Sequence, residues 1–128
     1  MRCLIVDDSA AFVGAARGLL ERQGITVVGV ASTSAEALRY FDELRPDVTL
    51  VDVDLGGESG FELAEQLHRV GWSTSSSVIL ISTHAAEDFA EMIETSPAAG
   101  FLSKSALTGA AIRDLVGGLA GVEKGDNR

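Results

Sequence analysis

Two apolar runs in this chain end on carboxylates. "CLIVDDSA" carries residues 3–6 into Asp7 and Asp8, and "VTLVDVDLGG" carries residues 48–51 into Asp52 and, two residues on, Asp54. Two further runs end on other polar groups, "VILIS" on the hydroxyl of Ser82 and "GFLSK" on the ammonium of Lys104. Carboxylates brought to about 5 Å repel by ~3 kcal/mol per pair at an effective dielectric near 20, so a site built from Asp7, Asp8 and Asp52 calls for a cation. Carboxylate oxygens that leave waters in place suit Mg²⁺, and a lysine beside them adds a compact positive charge. With a hydroxyl able to donate to an oxyanion, that inventory suits phosphoryl transfer by positioning and charge neutralisation.

For these side chains to meet, the runs must be neighbouring strands. Short β-rich runs at residues 2–6, 25–30, 48–51, 78–81 and about 99–102 are each followed by a segment of helical spacing, which predicts five β-α units. "LIV", "VTLV" and "VILI" are continuously apolar rather than alternating, so helices must cover both faces of the sheet. The fold class predicted is a parallel, three-layer α/β sandwich. Ligands of such sheets gather beyond the carboxyl ends of the strands, where strand order reverses, and Asp7, Asp8, Asp52, Ser82 and Lys104 all fall there.

The helices carry local signals. Thr33 with Glu36, and Ser59 with Glu62, match the capping box, and Pro46 closes the second helix. Leu38, Phe41 and Leu44, like Leu63, Leu67 and Val70, recur at helical intervals and mark faces to be buried. His68 is expected on a helix surface. Glu87, Asp88, Glu91 and Glu94 are expected on a solvated face of the fourth helix or on a partner surface. "GWSTSSS", residues 71–77, reads as a solvated loop.

A chain of 128 residues with 46% hydrophobic content can bury one core. One domain is predicted over residues 1–121, with "VEKGDNR", 122–128, as a polar tail or the start of a linker. A formal net charge of −9 matches neither phosphate backbones nor anionic lipid, so no direct nucleic-acid contact and no membrane association are expected. Cys3 is the only cysteine and lies in an apolar run, which suits a reducing, cytoplasmic setting and a small buried hydrophobe. No window approaches the ~18 apolar residues of a membrane span, and the opening run is too short for a signal peptide.

In chain order, "VDD", "VDVDLGGESG", "VILIST", "GFLSK" and a closing helix make this sequence similar to a response-regulator receiver domain. Asp52 lies 44 residues after Asp8, Ser82 lies 30 after Asp52, and Lys104 lies 22 after Ser82. The resemblance covers residues 1 to about 121. It implies a (βα)5 flavodoxin-like fold with five parallel strands in the order 2-1-3-4-5. It also implies a signalling switch in which Asp52 accepts a phosphoryl group from a sensor histidine kinase. The chain would then be no enzyme beyond catalysing its own phosphorylation and dephosphorylation.

Position by position, the resemblance implies that Asp7, Asp8 and Asp52 bind Mg²⁺, with the Asp54 backbone carbonyl as a further ligand. Lys104 would pair with the phosphoryl oxygens. Ser82 would hydrogen-bond one of them while Phe101 turns inward. Asp54 and His84, each two residues past a site residue, would tune the lifetime of the phosphate. The output surface would be built from the fourth helix, fifth strand and fifth helix, acting on an output domain, an effector protein or a second copy on phosphorylation. "GFLSKSALTGAAIRDLV" is similar to receivers that precede helix-turn-helix domains, which points to regulation of transcription.

Four positions depart from the common receiver pattern. Gly56, followed by Gly57, stands where a proline is common, predicting a more flexible loop. Ser105 follows Lys104 where many receivers have a cis proline, and a non-proline cis bond costs ~3 kcal/mol, which leaves the geometry of 104–105 open. Phe101 has no hydroxyl to hold its inward state, and Thr83 is bulkier than the usual neighbour of the switch hydroxyl. Two other functions compete. "VDVDLG" is also similar to the nucleophile motif of haloacid-dehalogenase-type phosphatases, with Asp52 as nucleophile and Asp54 as acid. A receiver-like module that binds its partner without phosphorylation is the other.

Overall fold

Five parallel strands supply the frame: β1 (Arg2–Val6), β2 (Thr26–Ala31), β3 (Val48–Asp52), β6 (Ser77–Ser82) and β7 (Gly100–Ser103). They lie in the order β2-β1-β3-β6-β7. Set aside the short antiparallel pair β4 (Asp54–Leu55) and β5 (Glu58–Ser59), and this is the 2-1-3-4-5 order that the resemblance implies. The helices are α1 (Ala10–Arg22), α2 (Ser34–Leu44), α3 (Gly60–His68), α4 (Ala90–Thr95) and α5 (Gly109–Asp126). This computed structural model describes residues 1–117 in full apart from 71, 73 and 74, and the backbone alone over 118–126, so that α5 runs on into the tail expected at 122–128; residues 127–128 and part of the loop at 71–77 lie outside the described residues.

Alternation along the buried strands splits the core in two. Leu4, Val6, Val51, Val78 and Leu80 face a cluster with Phe41 of α2 and Leu63, Ala64 and Leu67 of α3. Cys3, Ile5, Leu50, Ile79 and Ile81 face the opposite cluster, with Ala16 and Leu20 of α1 and Ile112 of α5. Continuous apolar strands therefore mean what the sequence suggests, a sheet covered on both faces. Cys3 is fully buried, and burial pushes its thiol up to about 12, so it is an inert hydrophobe.

Local signals place the helix ends. Thr33 and Ser59 accept hydrogen bonds from the backbone N–H of Glu36 and Glu62, at 3.2 and 3.3 Å. The reciprocal half of the first capping box is displaced by one residue, because Glu36 Oε1 accepts from Ser32 N and Ser32 Oγ, each at 2.9 Å. The second helix ends on Arg45, left-handed at φ 46°, immediately before Pro46. At least part of the 71–77 loop is packed rather than solvated: the Trp72 ring stacks on Phe41 at 4.4 Å, with the Arg45 guanidinium 5.1 Å over its centroid.

The glycine pair after Asp52 is a tight turn rather than a loose loop. Gly56 and Gly57 sit at φ 56° and 97°, the two positive angles that a type I′ hairpin requires, and they join β4 to β5. No cis peptide occurs among the described residues, so the bond after Lys104 is trans. The fourth helix is short, a 3₁₀ turn over Ala86–Phe89 followed by α4, and its four acids are exposed as expected. His68 is exposed at the end of α3. Among the described residues no helix is long and apolar enough to cross a membrane.

Candidate functional site

Register carries the polar residues to one edge of the sheet. Val6 pairs with Val51 on β3, Asp52 pairs with Ile81, and Ser82 pairs with Ser103, so the residues just past these pairs converge. Asp7, Asp8 and Asp52 bring carboxylate oxygens to within 4.8 Å of one another. Asp7 and Asp52 are almost fully buried, whereas Asp8 is exposed.

Each carboxylate is held by its neighbours. Ser9 N donates to Asp7 Oδ1 at 2.8 Å, and Ser9 Oγ caps α1 by accepting from Phe12 N at 3.3 Å. Ser9, rather than the aspartates, therefore serves as the cap of the first helix. Asp54 N donates to Asp52 Oδ1 at 3.2 Å. Gly56 lies against Asp8: a Cβ there would meet Asp8 Oδ2 at 2.9 Å.

Lys104 reaches in from the end of β7. Its Nζ lies 2.6 Å from Asp7 Oδ2 and 3.2 Å from Asp52 Oδ2, and 4.4 Å from the centroid of the Phe12 ring. The contact with Asp7 is an ion pair without the alignment of a hydrogen bond. Burial lowers the affinity of Lys104 for its proton, but the Asp7 and Asp52 carboxylates beside it outweigh that and raise the pKa above its ordinary value. Asp52 is raised as well, first by burial and then by the Asp7 charge, against the lowering effects of Asp54 N–H and Lys104.

Three carboxylates against one ammonium leave this cluster two charges negative. Hard oxygen donors, a charge deficit of two and a lysine from the end of β7 already in place fit a divalent cation bound through oxygen. Ser82 is buried, and its Oγ accepts from His84 N at 3.0 Å. That bond uses a lone pair and leaves the hydroxyl proton free to be donated.

A cavity of about 520 Å³ opens on Asp8, Asp52, Asp54, Ser82, His84 and Lys104. Asp8, Asp52, Asp54, Ser82, His84 and Lys104 therefore line one cavity, and Asp7 lies beside it against Lys104. Phe101 is not at the cavity. It is half-buried and lines an adjoining hollow of about 430 Å³, which shares Thr83 and His84 with the first.

Three residues of the site are not legible in the sequence. Phe12 reads as an ordinary helix residue. Gly60 reads as the first residue of α3, yet a Cβ there would fall 2.0 Å from the Asp52 carbonyl oxygen. Phe89 belongs to the cavity wall and touches three other rings. Only the glycine after a capping serine carries a hint, since that position seldom needs one.

Known proteins agree with this geometry. Residues 3–115 match the response regulator receiver domain family. The transcriptional regulatory protein YvfU of Bacillus subtilis is 33% identical over 105 residues, which is 81% of this chain and 52% of that protein. The response regulator GacA of Pseudomonas viridiflava is 33% identical over 107 residues, 83% of this chain and 49% of that one. The chain thus spans about half the length of the curated relatives it matches. The signal receiver domain of the putative response regulator NarL from Mycobacterium tuberculosis superposes with a TM-score of 0.80 at 29% identity, covering 91% of this chain and 96% of that one. Strand order, converging acids, bridging lysine and family match coincide: the chain belongs to the response regulator receiver domain family.

Proposed function

We propose that this chain is a phosphorylation-controlled switch of two-component signalling, with Asp52 as the phosphoacceptor and a sensor histidine kinase as donor. The observation that carries the reading is the convergence of Asp7, Asp8 and Asp52 within 4.8 Å, bridged by Lys104 and opening on a cavity that also holds Ser82. In the transfer, an Asp52 carboxylate oxygen forms a bond to phosphorus, the bond from phosphorus to the kinase imidazole nitrogen breaks, and that nitrogen keeps the electron pair. Asp7, Asp8, Asp52 and the Asp54 backbone carbonyl would hold Mg²⁺. Bound there, the ion supplies charge neutralisation of the phosphoryl oxygens.

The chain's own groups do the rest. Lys104 exchanges its Asp52 contact for a phosphoryl oxygen while keeping Asp7. Ser82 donates its hydroxyl proton to another phosphoryl oxygen, which draws the Thr83–His84 segment toward Asp52. That segment separates the two cavities, so its movement opens room for Phe101 on the far side. A ligand shifts such an equilibrium only through contacts that differ between the two states, and the Ser82 bond is one. The altered surface would be α4, β7 and α5, read by an output domain, an effector or a second copy. Relatives named as transcriptional regulators favour a DNA-binding output.

Acetyl phosphate with Mg²⁺ tests the reading. One hydroxylamine-labile phosphate per chain is expected, and none in excess EDTA. Absence of uptake from both acetyl phosphate and kinase, together with no Mg²⁺-dependent beryllofluoride binding by NMR, would leave only a phosphorylation-independent binding module. Steady turnover of a generic phosphomonoester would favour the phosphatase. Ser82→Ala is expected to take up phosphate yet leave the Phe101 resonances where they stand in the unphosphorylated protein; wild-type shifts would remove Ser82 from the coupling.

Asp54 and His84 are proposed to tune the phosphate's lifetime, since both are exposed on the wall of the reaction cavity. An acid there either orients water or repels the phosphoryl charge, and an imidazole can donate or accept a hydrogen bond with the same water. Half-lives of Asp54→Ala and His84→Ala should each differ from wild type by severalfold. Identical half-lives for all three proteins would refute this.

A further inference from the structure

Phe89 has no place in the chemistry above, yet it stands beside it. It ends the 3₁₀ turn after the Ser82 loop, is half-buried, and lines the same cavity as Asp52, Ser82 and Lys104. The other large apolar lining residue, Val53, is buried. The ring is held on three sides. Phe61 of α3 lies 5.8 Å away at 53°, Phe101 of β7 lies 6.2 Å away at 47°, and His84 meets it edge-on at 6.1 Å and 89°.

Such a ring offers nothing to hydrogen-bond a leaving group or a water molecule. In the unphosphorylated chain it is anchored from α3, β7 and the loop, and the Phe61 contact from α3 is one that the movement of Ser82 and Phe101 leaves in place. We propose that Phe89 is the apolar wall of the reaction cavity, which restricts phosphoryl donors by size and limits the access of water to the phosphorylated aspartate. This rests on Asp52 being the phosphoacceptor.

Two reactions read the wall. In phosphorylation by a small donor, an Asp52 oxygen bonds to phosphorus while the donor's P–N bond breaks, and the departing nitrogen takes the electron pair and a proton from solvent. In hydrolysis, a water oxygen bonds to phosphorus, the bond from phosphorus to Asp52 breaks, and the water's proton passes to solvent. A wall at the cavity should hinder the bulkier donor more than the smaller one. A defect in the metal site or in Ser82 would scale all donors together.

The experiment uses the full chain with Mg²⁺ and two probes, phosphoramidate, which releases ammonia, and phosphoimidazole, which releases the larger imidazole. In Phe89→Ala the ratio of the phosphoimidazole rate to the phosphoramidate rate should rise about tenfold, the scale at which a pocket discriminates by bulk, and the phosphate half-life should fall severalfold. Phe89→Leu, which keeps most of the apolar volume, should lie between; it decides the matter if the alanine variant does not fold. An unchanged donor ratio in the folded variants overturns the assignment, whether or not the half-life moves. A wild-type chain that takes phosphate from neither probe overturns this inference, and the phosphoacceptor reading falls with it if acetyl phosphate and the kinase also fail and no beryllofluoride binds.

Discussion

Asp52→Asn is expected to take up no phosphate from acetyl phosphate or a kinase, and its metal-free form to unfold at a higher temperature than the wild type. The first is expected because, among the described residues, Asp52 is the one carboxylate that both pairs with Lys104 and lines the cavity with Ser82. The second is a matter of balance. Two neighbouring carboxylates within 4.8 Å each repel Asp52 by roughly 3 kcal/mol, against about 5 kcal/mol of attraction to Lys104 at 3.2 Å, for an effective dielectric near 20. On the order of 1 kcal/mol remains against the charged form, to which burial adds.

The pH dependence has a definite sign. Burial and Asp7 raise the Asp52 pKa above its ordinary 3.8, so ionisation costs stability in the fold. The penalty is absent below the ordinary value and complete above the raised one. The gap between variant and wild type should therefore be widest at neutral pH and close as Asp52 becomes protonated in acid. Mg²⁺ at ten times its dissociation constant adds about 1.4 kcal/mol to the wild type and less to the variant, narrowing the gap from the other direction. Thermal unfolding in EDTA and in Mg²⁺, at neutral and acidic pH, measures all of this. A metal-free variant less stable than wild type at pH 7 would mean that Lys104 outweighs the repulsion.

Gly60→Ala should be among the most damaging single-methyl changes in the chain. Its Cβ would lie 2.0 Å from the Asp52 carbonyl oxygen and 2.7 Å from Val53 Cα, and neither is a side chain that can turn away. Gly60 N also donates to Val53 O at 2.9 Å, so α3 starts hard against the end of β3. Relief requires the helix start or the strand end to move by about 1 Å. Overpacking typically costs up to ~3 kcal/mol, and with backbone on both sides the upper end is expected, a fall of roughly 10 °C or more in the unfolding midpoint. Because the displaced strand end is Asp52 itself, phosphorylation by acetyl phosphate should slow as well. Wild-type stability and rate in this variant would mean that α3 can slide along the sheet at little cost.

These two positions differ in how far they can be read in advance. Asp52 announces itself, because a carboxylate that ends an apolar run matters only at a strand end, and three other runs end on partners suited to it. The strands, the helix faces and the caps at Thr33 and Ser59 are legible for the same reason: period and capping are short-range properties, set within a few residues. Strand order was implied by resemblance to receivers, not by any local pattern.

What only the tertiary structure decided involves residues far apart in the chain. The Gly56–Gly57 pair reads as freedom, and becomes a hairpin turn because β4 pairs with β5 and Asp8 leaves no room for a side chain at Gly56. Lys104 reads as a ligand for phosphate, and in the unphosphorylated chain it is spent on Asp7 and Asp52, with Phe12 beneath its ammonium. Gly60 is required by a carbonyl eight residues away that the fold turns back upon it. Phe89 shares no sequence neighbourhood with Phe61 or Phe101, and only the packing of α3, β7 and the intervening loop brings the three rings together beside Asp52. Periodicity says which face of an element is buried; it does not say against what, because that is settled by the free energy of packing distant segments into one volume.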